Sequence, residues 1–321
     1  MTDLIPERIH ARPVPRPGRI VGAIVVLVLA AMVVNGLITN PNYRWDTVWL
    51  YLRDVTVIRG VGWTLILTFG SMAIAAIMAV TLAMMRRSDN AIMRWVAWAY
   101  ICFFRGTPIY VQLVFWGLLS VLYPQLSLGI PFGPEFLVFT TRYLVTPFWA
   151  ALLGLAFNEA AYLAEIVRAG FSSVDPGQEE AAKALGMGPQ TILRRIVLPQ
   201  AMRVIVPPMG NETISMLKTT SLVLAVPFTL DLFFATNAIG ARTFQPVPLL
   251  VIAALWYLLI TSVLMVGQHY LERYYGRGFQ ESSSKRRRTG IFGRNSGRPT
   301  RGQAVAAAGT TTDDPFLDVT P

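Results

Sequence analysis

Charge is scarce in this sequence. Of its 321 residues only 14% are Asp, Glu, Lys or Arg, whereas 54% are hydrophobic, and the mean hydropathy is +0.49. A water-soluble chain of this length needs a far more polar surface, so the composition points to an integral membrane protein. Cysteine is nearly absent: the single Cys102 cannot close an internal disulfide and has no Cys or His cluster around it. The two histidines, His10 and His269, are far apart, which argues against a metal site. No nucleophile stands beside a histidine. No Gly-x-x-x-x-Gly-Lys-Ser/Thr phosphate loop occurs either, because GRNSGRPT at 293–300 lacks both the spacing and the lysine. Neither a catalytic residue nor a cofactor is therefore expected in this chain.

What is abundant is apolar length. A bilayer core about 30 Å thick takes roughly 20 helical residues to cross. Six runs qualify, at 20–38, 60–85, 95–122, 147–170, 204–226 and 247–270, so the expected fold class is an all-α integral membrane protein with six transmembrane helices. No small-residue cleavage site follows the first run, which reads as a retained anchor rather than a signal peptide. The third run is interrupted by FRGTP at 104–108, where proline and glycine imply a break that neighbouring protein must satisfy. Between the runs, 39–59 reads as an extracytoplasmic linker with interfacial Tyr43, Trp45, Trp49 and Tyr51. Residues 123–146 read as an outer loop and 231–246 as a polar outer stretch.

The net charge of +10 collects beside the spans, where it sets orientation instead of binding nucleic acid. Lys and Arg concentrate in the 1–19 tail, in 86–94, in 171–203 and in the 276–321 tail, which places these segments and both termini in the cytoplasm. Arg44, Arg53 and Arg59 run against the count and are partly balanced by Asp46 and Asp54. The last tail has too few apolar residues for a core and reads as disordered. Its KRRR at 285–288 suits either anionic lipid headgroups, at about 1 kcal/mol per basic residue, or plain solvation.

Between the fourth and fifth runs lies EEAAKALGMGPQTILRRIVLPQ at 179–200, charged and helix-forming. Asp175 is placed to cap a helix with Pro176 at its first position. Gly186, Gly188 and Pro189 stop or bend it, and Thr191 starts a second helix running to Pro199. Ala181 and Ala182 give the first helix a low-profile face suited to a groove on another protein. On propensity alone an ordinary amphipathic loop helix fits as well.

Glu180, Ala181, Ala182, Gly186, Ile196, Leu198 and Pro199 resemble the EAA-x3-G-x9-I-x-LP loop of the membrane subunits of bacterial binding-protein-dependent ABC importers. Five further stretches are similar to the polar amino acid permease branch: GVGWTLILTFG at 60–70, FFRGTPIYVQL at 103–113, AYLAEIVRAGFSSVDPGQ at 161–178, KTTSLVLAV at 218–226 and ARTFQPVPLLVIAALWYLL at 241–259. The resemblance covers roughly 55–275. It implies a five-helix permease core at 60–275 whose 171–200 loop is the coupling helix for a cytoplasmic ATPase, the subunit that binds the ATP. It also implies a second permease, the same chain or a homologue, an extracytoplasmic solute-binding protein, a polar amino acid as substrate and the bacterial inner membrane as location. Simple members of the branch have five spans, so 20–38 is an extra one, read as an anchor or assembly surface. An ion-gradient-driven secondary transporter or channel for small polar solutes is the alternative, and it would need no coupling loop. An intramembrane enzyme is a more distant rival.

Ionisable groups inside spans cost roughly 2.5 to 3.5 kcal/mol each and normally face protein or a water-filled path. Asn158, Glu159 and Tyr162 in the fourth run, and Glu212, Ser215, Lys218 and Thr219 in the fifth, are the candidates to line that path, the latter group following a break at Pro207 and Pro208. Glu165 and Arg168, three apart, read as a structural pair. Arg105 reads as a brace. Glu159 has a second reading, as the partner of Lys218 or Arg105 in an ion pair that holds the bundle.

Overall fold

The computed structural model describes residues 17–130 and 133–276. The proposed tails at 1–19 and 276–321, KRRR included, therefore lie almost wholly outside the described residues. Helix α1, Pro17–Thr39, is apolar along its length with every described side chain exposed. A 3-10 turn at Pro41–Tyr43 leads to α2, Trp45–Tyr51, with the Trp45 indole donating to the Leu37 carbonyl at 2.9 Å. Helix α3, Val55–Arg87, starts at an Asp54 cap whose carboxylate accepts from the Thr56 amide at 2.7 Å. The third apolar run is divided into α4, Ala91–Gly106, α5, Ile109–Gly117, and α6, Leu119–Leu122. Strands β1, Gln125–Gly129, and β2, Glu135–Thr140, pair as an antiparallel hairpin within the expected outer loop, followed by α7, Thr141–Leu144.

Helix α8, Pro147–Ser172, runs through the middle of the bundle. Ala160, Ala161 and Ala164 are buried there, and their small size lets α3, α4, α5 and α11 approach its backbone closely. Helices α9, Pro176–Ala184, and α10, Pro189–Ile192, make up the loop. A π-helical turn, Leu193–Val197, joins α10 to α11, Leu198–Thr219, which a 3-10 turn at Thr220–Ala225 extends. Helices α12, Leu232–Thr243, and α13, Pro246–Tyr275, complete the chain. Among the described residues four helices, α1, α3, α8 and α13, are long and apolar enough to cross a membrane. The third run is broken by Thr107 and Pro108, and α11, which holds most of the fifth, carries Arg203, Glu212 and Lys218.

Three local expectations are corrected. The stretch 231–246 is largely helical, because Asp231 caps α12 and Leu232, Ala235, Thr236, Ile239 and Gly240 recur on one face that buries against α3 and α13. The approach is close: a Cβ on Gly60 of α3 would lie 2.8 Å from the Leu232 Cα. Pro207 and Pro208 do not break α11, which continues through both. Gln268 of α13 reaches across and donates to the Pro207 carbonyl at 2.8 Å, which ties α13 to α11 at this point. The second loop helix starts at Pro189 rather than Thr191 and does not stop at Pro199, which sits in the first turn of α11.

Candidate functional site

Asp175 caps α9 by accepting from the Gly177 amide at 2.8 Å, with Pro176 at the first position. At the other end the Met187 amide bonds the Ala182 carbonyl at 3.1 Å and the Gly186 amide bonds that of Lys183 at 2.9 Å. These are the two bonds of a Schellman cap, which needs a left-handed residue after the helix. Gly186 supplies it at φ 77°. Its Cα faces open space, with no described residue other than its chain neighbours within 4 Å of a methyl group added there. Gln200 of α11 donates to Gln178 at 2.5 Å and to the Ile196 carbonyl at 2.9 Å, tying α9 to the start of α11.

The loop residues divide between two faces. Glu180, Ala181, Gly186, Leu198 and Pro199 are exposed, whereas Ala182 is only 3% exposed and packs into the core together with half-buried Ile196. The expected outward face of paired alanines is thus corrected: Ala182 belongs to the chain's own packing, and Ala181 alone faces out. Leu185, which the loop motif does not single out, is 82% exposed at the tip. A leucine placed immediately before a helix-ending glycine was the available signal.

Above the loop, inside the bundle, α8 carries a polar group at each of several angles. Asn158 donates to the Phe104 carbonyl at 3.0 Å and to Gln112 Oε1 at 3.1 Å, while Gln112 Nε2 donates to Phe104 and Thr107. This network closes the α4–α5 break, and both Asn158 amide hydrogens are spent on it. Glu159, one position on, is 6% exposed and its Oε1 has no hydrogen-bond partner among the described residues. Tyr162 lies under the Arg105 guanidinium, 5.3 Å from ring centroid to Cζ. The one ion pair among the described residues is Arg168 to Glu165, at 2.7 Å.

The α11 candidates separate by helical phase. Glu212 is half-buried, but Ser215 and Lys218 lie on an exposed stripe with Asn211, and Thr219 is half-buried with its hydroxyl bonded to the Ser215 carbonyl. That stripe borders an open cavity of about 500 Å³ whose other wall is Gln268, His269 and Glu272 of α13. Sequence reasoning missed these three; their signal was a cluster of polar residues at i, i+1 and i+4 ending an apolar run. The geometry therefore offers a buried carboxylate inside the bundle, a polar stripe open at its side, and a rigidly capped loop at one end.

Comparison with known proteins adds to this geometry. The family model described as "Binding-protein-dependent transport system inner membrane component" matches residues 71–276. The chain is 48% identical over 273 residues to the "Arginine transport system permease protein ArgU" of Corynebacterium glutamicum, covering 85% of each chain. It is 36% identical to the "Histidine/lysine/arginine/ornithine transport system permease protein HisM" of Salmonella typhimurium, over 70% of this chain and 91% of that one. Among solved structures, an amino acid ABC transporter crystallised with histidines matches at a TM-score of 0.57 and 34% identity, over 68% of this chain and 94% of that chain. An inward-facing methionine ABC transporter shares the fold at a TM-score of 0.53 and 17% identity.

Proposed function

The chain belongs to the family of binding-protein-dependent transport system inner membrane components, and on that premise we propose that it forms the translocation path of an ATP-driven importer for a polar amino acid. It is a multi-pass membrane permease subunit and not itself an enzyme. Hydrolysis belongs to a separate ATPase that docks on the 171–200 loop, and substrate arrives from an extracytoplasmic binding protein. Family membership does not favour the ion-gradient-driven alternative.

The observation that carries the coupling role is the loop itself. A helix capped at both ends and tied to α11 presents Glu180, Ala181 and Leu185 outward, so a push on it is passed to a membrane helix instead of being absorbed by a flexible link. The polar stripe of Asn211, Ser215 and Lys218 supports a second permease, because such a face is costly against lipid and is relieved by protein or a water-filled path. Glu159 and Glu212 suit a substrate that brings its own positive charge, and the relatives named for arginine transport agree. In this reading both termini and the loop are cytoplasmic, in a bacterial inner membrane.

Tagged chain extracted from its native membrane should co-purify an ATPase in stoichiometric amount. Replacing Leu185 with Asp should release it while leaving the chain in the membrane. Isolation of the chain without any ATPase from membranes that contain one would overturn the proposal.

A further inference from the structure

At the loop end of the bundle lies a cavity of about 470 Å³ that coupling does not account for. Its walls come from the ends of α3 and α8 and from the loop: Met84, Phe171 and Ile192 supply apolar surface, while Arg87, Lys183 and Glu179 supply charge. The Arg87 guanidinium rests 5.5 Å from the Phe171 ring centroid, which holds it at the mouth with its N–H edges free. Neither Arg87 nor Lys183 has an ion-pair partner among the described residues.

A second feature leads into the same place. Along α3, Ile66, Phe69, Ala73, Ile77, Val80 and Met84 are all exposed, at the three- and four-residue intervals of one helical face, and the next residue on that face is Arg87. From Ile66 to Met84 this apolar stripe runs roughly 27 Å at 1.5 Å per residue, more than the half-thickness of about 15 Å that one leaflet occupies. The basic end of a spanning helix marks the headgroup level, so the cavity opens where lipid headgroups lie and the stripe runs where acyl chains lie.

We propose that this cavity is a binding site for an anionic phospholipid, its phosphate at Arg87 and Lys183 and an acyl chain along the α3 stripe. Headgroup hydroxyls, such as those of a glycerol, can donate to the Glu179 carboxylate. A soluble phosphate compound would use the two cations but leave the apolar approach unused. Because the cavity is walled by the coupling loop, an occupied site joins the membrane end of α3 to α9 and makes the loop's position sensitive to lipid composition. The proposal requires only that α3 and α8 span the membrane, and it stands or falls separately from the substrate reading.

The test is native mass spectrometry of the purified full chain exposed to equal amounts of phosphatidylglycerol and phosphatidylcholine. Preferential retention of phosphatidylglycerol is expected, falling roughly fivefold in Arg87→Gln and by a similar factor in Lys183→Gln, an exposed position where misfolding is not at issue. Arg87→Lys should keep most of the preference, and Arg53→Gln, at the other end of the bundle, should keep all of it. No preference in the unaltered chain, or a preference that survives both Gln substitutions, would overturn the proposal. Displacement of the lipid by millimolar glycerol phosphate would reduce the site to a headgroup pocket and contradict the role of the stripe. In the assembled importer, a photoreactive residue at Leu193 should capture lipid; capture of the ATPase alone would assign the cavity to the subunit interface and refute the lipid site.

Discussion

Replacing Glu159 with Gln separates two readings that the sequence left open. Were Glu159 half of an ion pair bracing the bundle, its loss would strand a buried cation at a cost of about 3–5 kcal/mol, and assembly would fail. The geometry leaves no such cation: Arg105 lies over the Tyr162 ring, and Lys218 is on the exposed stripe of α11. Glutamine has nearly the same shape and carries no charge into this buried position. The complex should therefore assemble normally, with basal ATP hydrolysis intact and a melting temperature unchanged or higher. Transport should suffer, because a hydrogen bond to a charged group contributes about 1.5–3 kcal/mol. Losing it from the substrate's cation corresponds to a roughly ten- to hundredfold rise in the concentration needed for half-maximal uptake. Uptake of labelled arginine into proteoliposomes across a concentration series, run beside a size-exclusion profile of the complex, measures both quantities. Collapse of the complex would refute the absence of an ion pair, and unchanged uptake at every concentration would refute the placement of Glu159 on the path.

A Cβ at Gly186 meets no described residue, although a side chain there strains the left-handed cap locally; in Gly186→Trp insertion should therefore be normal while uptake and substrate-stimulated ATP hydrolysis fall sharply. Gly186→Asn, which tolerates the left-handed backbone, should retain most of both; normal uptake by the Trp variant would count against docking at the loop. In a Cys102→Ser background, a cysteine at Ser127 in the hairpin should react with a membrane-impermeant thiol reagent in intact cells and one at Ser173 should not, the reverse pattern overturning the orientation. Asp231 is fully buried and caps α12 with one oxygen while the other has no partner among the described residues, and burial raises its pKa to about 6 from 3.8. A raised folded-state value means stability is greatest at low pH and is lost as pH climbs through about 6, so the melting temperature in detergent should fall across that interval. Asp231→Asn should flatten that part of the profile, and an unaltered slope would remove Asp231 as its cause.

Features governed by local chemistry were legible in the sequence. The apolar runs announce themselves because a bilayer sets a minimum length, and both ends of α9 were readable because Asp175 with Pro176 and Gly186 are demanded by the backbone at those points. What was not legible depends on helical phase and on distant partners. Ala182 and Ala181 look alike in a motif, yet they sit about 100° apart around the helix axis and only one reaches the core. The bond from Gln268 to the Pro207 carbonyl of α11 joins residues 61 apart in the chain, a separation that no local pattern reveals. Asn158 and Glu159 share the middle of one apolar run, but adjacent helical positions point in different directions: Asn158 closes the α4–α5 break, whereas Glu159 Oε1 has no hydrogen-bond partner among the described residues. Helix α12 was hidden because Asn237 and Arg242 lower its hydropathy, although its buried face recurs at helical spacing.

The central claim is that this chain conducts an amino acid only when an ATPase drives it. Its most direct test is reconstitution of the purified chain in liposomes, with and without its ATPase and binding protein, followed by uptake of labelled arginine with ATP enclosed on the ATPase side. Uptake should require all the components together with ATP, and should be indifferent to proton or sodium gradients across the liposome. Uptake by the chain alone, driven by such a gradient and unaffected by ATP, would contradict the account.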